Sequence, residues 1–168
     1  MPDIQPATAP AAVASAHGAP AASPLGTEAA HMVLTITVAG QLCGVPVLSV
    51  RDVLGAQAIT RIPLAPREVA GSLNLRGRIV TAVDLRTRLG LPPRDDGRPA
   101  MSVVVEQAGE LYSLLADQVG EVLSLSPAER AANPPTLHHT WRDMSLGVHR
   151  HGGQLLVLLD VDKLLEIG

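Results

Sequence analysis

Two pairs of histidines are the residues of this sequence best suited to metal chemistry. His138 and His139 are adjacent, and His149 and His151 are separated by one residue. Imidazole is a common metal ligand, but a structural or catalytic site also needs further ligands in a suitable arrangement. The one cysteine, Cys43, lies far away in an apolar stretch. The sequence therefore favours solvated loop and strand-edge histidines, and a metal-dependent enzyme is the less favoured alternative.

The other groups that could catalyse a reaction have simpler structural explanations. Cys43 would need a neighbouring base to act as a nucleophile, and its apolar surroundings favour a buried small side chain. Asp84, Asp117 and Asp160 each follow a predicted strand, where helix caps or turns account for them. The sequence contains no phosphate-binding or dinucleotide-binding glycine motif. It predicts a protein that is not an enzyme and needs no cofactor.

A polar segment that begins at Asn74 is suited to recognition of a partner. Asn74 can bond to backbone groups and stabilise a tight turn. Arg76, which precedes Gly77, would then project a guanidinium group with five donors towards a carboxylate. A structural explanation is equally open, because Arg76 could simply pair with a local acid such as Asp84 or Asp52.

The elements that must position these residues are predicted to be short strands. Leu34, Ile36 and Val38 alternate with polar threonines, which is the period of a half-buried strand. Similar apolar patterns predict a strand at 42–47, which residues 49–54 either continue or bend, and further strands at 58–62, 78–83, 101–106, 111–115, 121–125, 145–150 and 155–159. A loop is predicted at 64–75, and helices capped by Asp84 and Asp160 at 85–89 and 161–166. Short strands separated by turns predict an all-β fold built from small barrels or a sandwich.

Composition limits the environment and the partners of the chain. A hydrophobic content of 46% is enough for a packed core, and the net charge of −3 argues against nucleic acid as a partner. No apolar run is long enough to insert into a membrane, and a single cysteine is typical of the cytoplasm. The Ala/Pro-rich residues 1–30 cannot bury enough apolar surface, so they are predicted to be a disordered tail. Residues 31–168 are predicted to form the folded part.

Two matching pairs of segments indicate an internal duplication. Residues 77–84 and 153–160 each run from glycine through an apolar strand to aspartate, with leucine five residues beyond it. Upstream, residues 50–54 resemble residues 119–123. Two matches in the same order predict two similar β units that pack side by side.

The segment around Asn74 closely resembles the CheW family, and the likeness extends from about residue 31 to the end of the chain. The resemblance is carried by Gly44-Val45-Pro46-Val47, Val50-Arg51-Asp52-Val53, Ile62-Pro63, Ala65-Pro66, Asn74-Leu75-Arg76-Gly77 and Val83-Asp84-Leu85-Arg86. The chain departs from the family at Thr81 and Ser113, where proline and glycine are common. It also lacks the phenylalanine that the family uses in the first strand. The changes at Thr81 and Ser113 are expected to affect the local backbone and the exact shape of the binding groove, but not the fold.

This resemblance implies a fold and a function. The fold would be two SH3-like five-stranded β-barrels packed side by side, with short capping helices. The function would be that of a non-enzymatic, cytoplasmic adaptor recruited to membrane receptor arrays. One face would bind the regulatory domain of a CheA-type histidine kinase, and a groove between the barrels would receive the cytoplasmic hairpin tip of a methyl-accepting chemoreceptor. The same surface could serve another output, such as surface motility or second-messenger control.

The resemblance also implies which residues form the binding surface. By position, Val47, Val50 and Val119 match apolar groove positions. Asp52 stands where the family usually has glutamate, and Arg76 matches an arginine that supports array signalling. Asn74 belongs to the same surface. Apolar anchors with a polar rim suit the docking of a helix.

Overall fold

A computed structural model of the protein describes residues 31–95 and 97–167, so the predicted tail at residues 1–30 lies outside the described residues. The described chain contains ten strands: β1 (Met32–Val38), β2 (Gln41–Pro46), β3 (Val50–Leu54), β4 (Val69–Leu75), β5 (Arg78–Asp84), β6 (Met101–Gln107), β7 (Glu110–Ala116), β8 (Gln118–Ser124), β9 (Ser145–His151) and β10 (Gln154–Leu159). Its α-helices are α1 (Leu85–Arg88), α2 (His139–Asp143) and α3 (Val161–Leu164). Short 3-10 turns lie at Val47–Ser49 and Pro127–Glu129.

The strands form two five-stranded sheets. The first sheet has the order β8-β1-β2-β10-β9, and the second has the order β3-β6-β7-β5-β4. In the first sheet β2 and β10 are parallel, and in the second β5 and β7 are parallel; the other neighbours are antiparallel. The predicted all-β fold of two barrel-like units with short helices is confirmed.

The two sheets are built alike, as the sequence duplication predicts. Strands β1 to β5 correspond in order to strands β6 to β10. The two members of each pair, for example β1 and β6, lie in different sheets and occupy the same position in the strand order. The first sheet therefore combines β1 and β2 with β8, β9 and β10, whereas β3 to β7 form the second sheet. Each barrel thus contains strands from both copies of the duplication, so neither copy forms a complete barrel from its own strands.

A shared hydrophobic core joins the two sheets. It includes Ile36 and Val157 of the first sheet together with Val83 and Val103 of the second, all fully buried. The opposite faces of the sheets are also covered. In the second sheet, the face that points away from the shared core carries a smaller buried cluster that includes Leu73. In the first sheet, the residues of β10 that alternate with the core residues, such as Leu156, are buried on the corresponding face. Burial on both faces explains why several strands read as nearly continuous apolar runs.

The prediction that β1 is a half-buried strand is therefore wrong in one respect. Leu34, Ile36 and Val38 face the shared core as expected. The alternate positions Val33 and Thr35 are buried as well, at 3% and 5% exposure. The hydroxyl of Thr35 donates a 2.7 Å hydrogen bond to the Glu121 carbonyl oxygen, which satisfies the polar group inside the fold.

Two predicted elements between β3 and β5 are also wrong. Residues 58–62 do not form a strand; within them Thr60 makes an isolated bridge to Ser72. Residues 69–75, predicted as part of a loop, form strand β4. A glycine within an apolar segment suggested a loop, but Gly71 lies at a β-bulge in the strand and has φ of 151°. A Cβ atom there would lie 2.2 Å from the Thr60 carbonyl oxygen, so only glycine permits this close approach.

The connection between β8 and β9 contains a helix that the sequence patterns do not predict. Helix α2 carries Trp141, which is only 7% exposed and belongs to the shared core. The His138 ring accepts a hydrogen bond from the Thr140 backbone N–H and caps the helix. A helix of five residues is too short to show an apolar period, which explains why pattern analysis missed it.

The predicted helix caps are confirmed. The Asp84 carboxylate accepts a 3.0 Å hydrogen bond from the Arg86 N–H at the start of α1. The Asp160 carboxylate accepts from the Lys163 N–H at 3.3 Å at the start of α3. The two helices are further linked by Arg88, whose guanidinium donates to the carbonyl oxygens of Lys163, Leu164 and Glu166 at 2.8–2.9 Å. A cation at these carbonyls also compensates the negative end of the α3 dipole.

Replacing Arg88 with alanine should lower the free energy of unfolding by about 1–3 kcal/mol, because the three carbonyl acceptors at the end of α3 lose a charged donor. The change is measurable by urea denaturation. The exposed Arg61, which makes no side-chain hydrogen bond to any of the described residues, provides the control in Arg61→Ala. Equal effects of the two substitutions would show that Arg88 does not hold the two helices together.

Candidate functional site

The 3-10 turn Val47–Ser49 lies where the two sheets meet. It contacts β1 of the first sheet and β6 of the second. The next strand outward is β8 in the first sheet and β3 in the second, and both are edge strands. We call the surface formed by this turn together with strands β3 and β8 the seam. Val47, one of the predicted groove residues, is partly buried in this turn.

The other two predicted groove valines occupy equivalent positions on the two edge strands of the seam. Val50 on β3 pairs with Val105, and Val119 on β8 pairs with Ile36. Both valines are partly buried and pack against the shared core. A bulge in the pairing follows each of them, between Val50 and Asp52 on β3 and beyond Val119 on β8. The duplication therefore places the same apolar side chain on both sides of the seam.

Three further apolar residues of the seam are more exposed than the predicted valines. Leu48 in the 3-10 turn is 61% exposed, Val53 on β3 is 39% exposed and Val122 on β8 is 47% exposed. The sequence analysis did not identify them as site residues. The duplication could have indicated two of them, because Val53 and Val122 occupy the same position in the matching segments 50–54 and 119–123. An exposed apolar patch that spans two edge strands is a typical protein-binding feature.

Asp52, Asn74 and Arg76 come together at one end of the second sheet. The Arg76 Nη2 atom lies 3.1 Å from Asp52 Oδ2, and the Asn74 side-chain oxygen accepts a 2.9 Å hydrogen bond from the Gly77 N–H. The turn role predicted for Asn74 is confirmed, and of the two acids considered for Arg76 the structure selects Asp52. The ion pair joins the β4–β5 turn to β3, which are at opposite edges of this sheet.

The Arg76 side chain remains available to a partner. It is 78% exposed despite the ion pair, and its backbone has φ of 52°, in the left-handed region. A second exposed pair lies on the neighbouring strands, where Arg51 Nε donates to Glu106 Oε1 at 2.7 Å. These residues and Leu75 line a shallow depression. The polar end of the second barrel thus borders the β3 side of the seam.

Asp117 forms a different kind of charged group, which is largely buried. Its carboxylate accepts hydrogen bonds from the guanidinium groups of Arg86 and Arg94 at 2.6–3.2 Å and from the Ala39 N–H at 2.8 Å. Burial disfavours its charge, but the hydrogen bonds from Arg86, Ala39 and Arg94 outweigh that effect and lower the pKa of Asp117 to about 2. The prediction of a cap or turn at Asp117 is therefore incomplete, because the residue is the centre of an ion cluster.

The histidines and the cysteine have structural surroundings in this fold. His138 caps α2 and, like His139 and His151, is exposed. His149 is buried at 3% exposure, which corrects the prediction that it is a solvated residue. Cys43 is fully buried in the shared core, and burial raises the pKa of its thiol. Within residues 31–95 and 97–167, no three His, Cys, Asp or Glu side chains form a group that could hold a metal ion.

Comparison with known proteins identifies the family. The model of the CheW-like domain matches residues 32–167. The chemotaxis protein CheW of Rhizobium meliloti (strain 1021) is 26% identical, over 82% of this chain and 88% of that protein. The chemotaxis protein CheW of Thermotoga maritima is 28% identical, over 80% of this chain and 87% of that protein. None of the helices described here is both long and apolar enough to cross a membrane.

A solved structure supports the same assignment. The crystal structure of the scaffolding protein TtCheW from Thermoanaerobacter tengcongensis matches this fold with a TM-score of 0.74 and 25% sequence identity. The match covers 82% of this chain and 94% of that one. Because the family model spans most of the sequence, the chain belongs to the CheW family of chemotaxis adaptors, which are scaffolds rather than enzymes.

Proposed function

We propose that this protein couples methyl-accepting chemoreceptors to a CheA-type histidine kinase, as a cytoplasmic scaffold recruited to receptor arrays. The observation that carries the proposal is the seam, where apolar side chains of two equivalent edge strands flank an exposed 3-10 turn. The relatives named above are chemotaxis proteins, which supports the pathway. No step of this function requires the protein to make or break a covalent bond.

The chemistry of the seam fits the helical hairpin tip of a receptor. Helices dock in apolar grooves through residues spaced along one face, and polar groups at the rim fix their orientation. Val47, Val50 and Val119 would form the floor, and the more exposed Val53 and Val122 would contact the helix directly. Polar side chains of the second barrel border the β3 side of this groove.

Asp52, Asn74 and Arg76 would form that polar border. The hydrogen bond to Asn74 stabilises the β4–β5 turn, and this turn positions Arg76 beside Asp52. A guanidinium group presented in this way can bind a carboxylate of a partner with two hydrogen bonds. The border therefore adds selectivity to the apolar contact, whereas the regulatory domain of the kinase binds a separate face.

Replacing both Val53 and Val122 with serine should weaken binding of a receptor hairpin fragment by at least about tenfold, since apolar anchors of an interface are lost. The affinity is measurable by calorimetry with the purified fragment. Leu146→Ser is the matched control, because Leu146 is 39% exposed and lies on β9, the opposite edge of the first sheet from β8. It should bind the fragment as the unaltered protein does.

The same variants separate the two partners. The double variant should retain its affinity for the isolated regulatory domain of the kinase, because that domain is proposed to bind elsewhere. Unchanged receptor binding by the double variant would refute the seam as the receptor site. Failure of the unaltered protein to bind the regulatory domain would refute coupling to this class of kinase.

A further inference from the structure

The duplication gives the β4–β5 turn of the second barrel a counterpart in the β9–β10 turn of the first barrel. The two hairpins have the same register, and each leaves two unpaired residues at its tip. These residues are Arg76 and Gly77 in the second barrel and Gly152 and Gly153 in the first. Arg76 therefore corresponds to Gly152, so the first barrel has no guanidinium group at this position.

The edge strands β3 and β8 correspond equally closely. Between the equivalent valines of the seam, β3 carries Arg51 and Asp52, and β8 carries Gly120 and Glu121. The bulge in the pairing with the neighbouring strand falls at the same place on both strands. Asp52 and Glu121 are thus equivalent carboxylates on the two sides of the seam.

These two carboxylates differ in their surroundings. Asp52 lies 3.1 Å from the Arg76 guanidinium, and its side chain is only 25% exposed. Glu121 is exposed, and no cation in the described part of the chain forms an ion pair with it. The replacement of Arg76 by Gly152 in the duplicate explains the difference. The β8 side of the seam therefore carries a negative charge that the protein does not neutralise.

The β3 side of the seam is cationic. The polar end of the second barrel carries three arginines, and the first barrel has uncharged residues at the equivalent positions. The arginines are Arg51, Arg76 and Arg78, and their counterparts are Gly120, Gly152 and Gln154. These arginines outnumber the two acids of the same depression, Asp52 and Glu106. The seam thus has borders of opposite charge, although its apolar residues are nearly the same on both sides.

We propose that Glu121 binds a basic side chain of the receptor hairpin and, opposite Arg76, determines the direction in which the hairpin lies across the seam. This inference rests on the proposed function, which supplies the occupant. Apolar contacts with equivalent valines would accept the hairpin in either direction. A hairpin with acidic residues towards the second barrel and a basic residue towards the first is attracted at both borders, whereas the reversed hairpin meets like charges at both.

Calorimetry with the purified hairpin fragment tests the Glu121 contact. Glu121→Lys should weaken binding by at least about tenfold, because an attractive pair becomes a contact between like charges. Glu129→Lys makes the same change at an exposed glutamate in the 3-10 turn Pro127–Glu129, outside the seam, and should bind as the unaltered protein does. Undiminished binding by the Glu121→Lys variant would overturn this inference alone. Failure of the unaltered protein to bind the fragment would overturn the proposed function and the inference with it.

Gly152→Arg gives a second test that leaves Glu121 in place. Gly152 has φ of 57°, close to the 52° of Arg76, and an added Cβ atom would meet no atom within 4 Å. The new guanidinium should pair with Glu121 as Arg76 pairs with Asp52, and so weaken hairpin binding by about two- to fivefold. Gly152→Ala imposes the same backbone constraint without the charge and should bind normally. Equal affinities of the arginine and alanine variants would contradict a role for Glu121.

A spin label on one helix of the hairpin fragment reports the direction of binding. With the unaltered protein, the label should broaden the amide signals of one barrel only. Exchange of the two charges, by Arg76→Glu with Glu121→Arg, should move the broadening to the other barrel, because both borders then favour the opposite direction. Broadening of the same barrel in both proteins would overturn the inference.

Discussion

Replacing Asp117 with alanine is expected to lower the free energy of unfolding by about 3–5 kcal/mol, the usual cost of removing one partner from a buried ion pair. Arg86 and Arg94, whose side chains are 15% and 14% exposed, would lose their shared carboxylate. A domain of this kind is typically stable by only about 5–15 kcal/mol, so the loss would be a large part of the total. Denaturation by urea measures it directly.

The pH dependence of stability provides a separate measure of the same cluster. The pKa of Asp117 is lowered to about 2 in the folded protein, against about 3.9 in an unfolded chain. The folded state binds fewer protons between these values, so the carboxylate contributes its full stabilisation above the unfolded pKa and loses it as the pH falls towards 2. Asp117→Asn carries no charge at any pH, so the stability difference from the unaltered protein should shrink over that range.

A matched control is available on the surface. Asp143 is an exposed acid at the end of α2, and Asp143→Ala should change the free energy of unfolding by less than about 0.5 kcal/mol. An Asp117→Ala variant that is no less stable than this control would show that the arginines do not depend on the carboxylate. Such a result would also remove the explanation for the lowered pKa.

Local patterns predicted much of the fold because strands, turns and caps leave local signals. Asp84 and Asp160 cap their helices as expected, and most strands lie within a few residues of their predicted limits. Gly71 misled the prediction, because the reason for the glycine is the approach of the Thr60 carbonyl from a distant segment. Patterns along the chain carry no information about such contacts.

The candidate site also combines residues that local patterns indicate with residues that only long-range contacts bring together. The sequence pointed to Asn74, whose partner lies within the same turn, and to Arg76, whose partner Asp52 was one of the two acids considered. It could not show the Asp117 cluster, since Arg86 and Arg94 precede Asp117 by 31 and 23 residues. Nor could it show that His149 is buried, because its pairing with the core follows from the register of β9 and β10.

The exchange of strands between the two copies has a consequence for the function. Because each barrel takes strands from both copies, the chain crosses between the barrels after β2 and again after β7. The first crossing is the 3-10 turn that carries Val47, and the second leads into β8, which carries Val119. The seam therefore lies where the chain crosses between the barrels. A partner bound at the seam would contact both barrels at once. Such a site can hold the barrels in one relative orientation.

Replacing Arg76 with alanine is expected to weaken coupling strongly while leaving the fold nearly intact. The Arg76 side chain is 78% exposed, and an exposed ion pair such as that with Asp52 stabilises a protein by only about 0–1 kcal/mol. The free energy of unfolding should therefore change by less than about 1 kcal/mol. Arginine is frequent among the residues that dominate interface energy, so kinase activation in reconstituted receptor assemblies should fall by at least about tenfold.

Two further variants decide whether Arg76 acts on a partner or only through Asp52. If Arg76 binds a partner, Asp52→Ala should impair kinase activation less than Arg76→Ala does, and the exchanged pair Asp52→Arg with Arg76→Asp should not restore it. Arg78→Ala, at an exposed arginine two residues further along, should have little effect. Recovery by the exchanged pair would mean that the ion pair itself is what matters. Unfolding of Arg76→Ala would make the residue structural, because a lost exposed pair cannot account for a loss of that size.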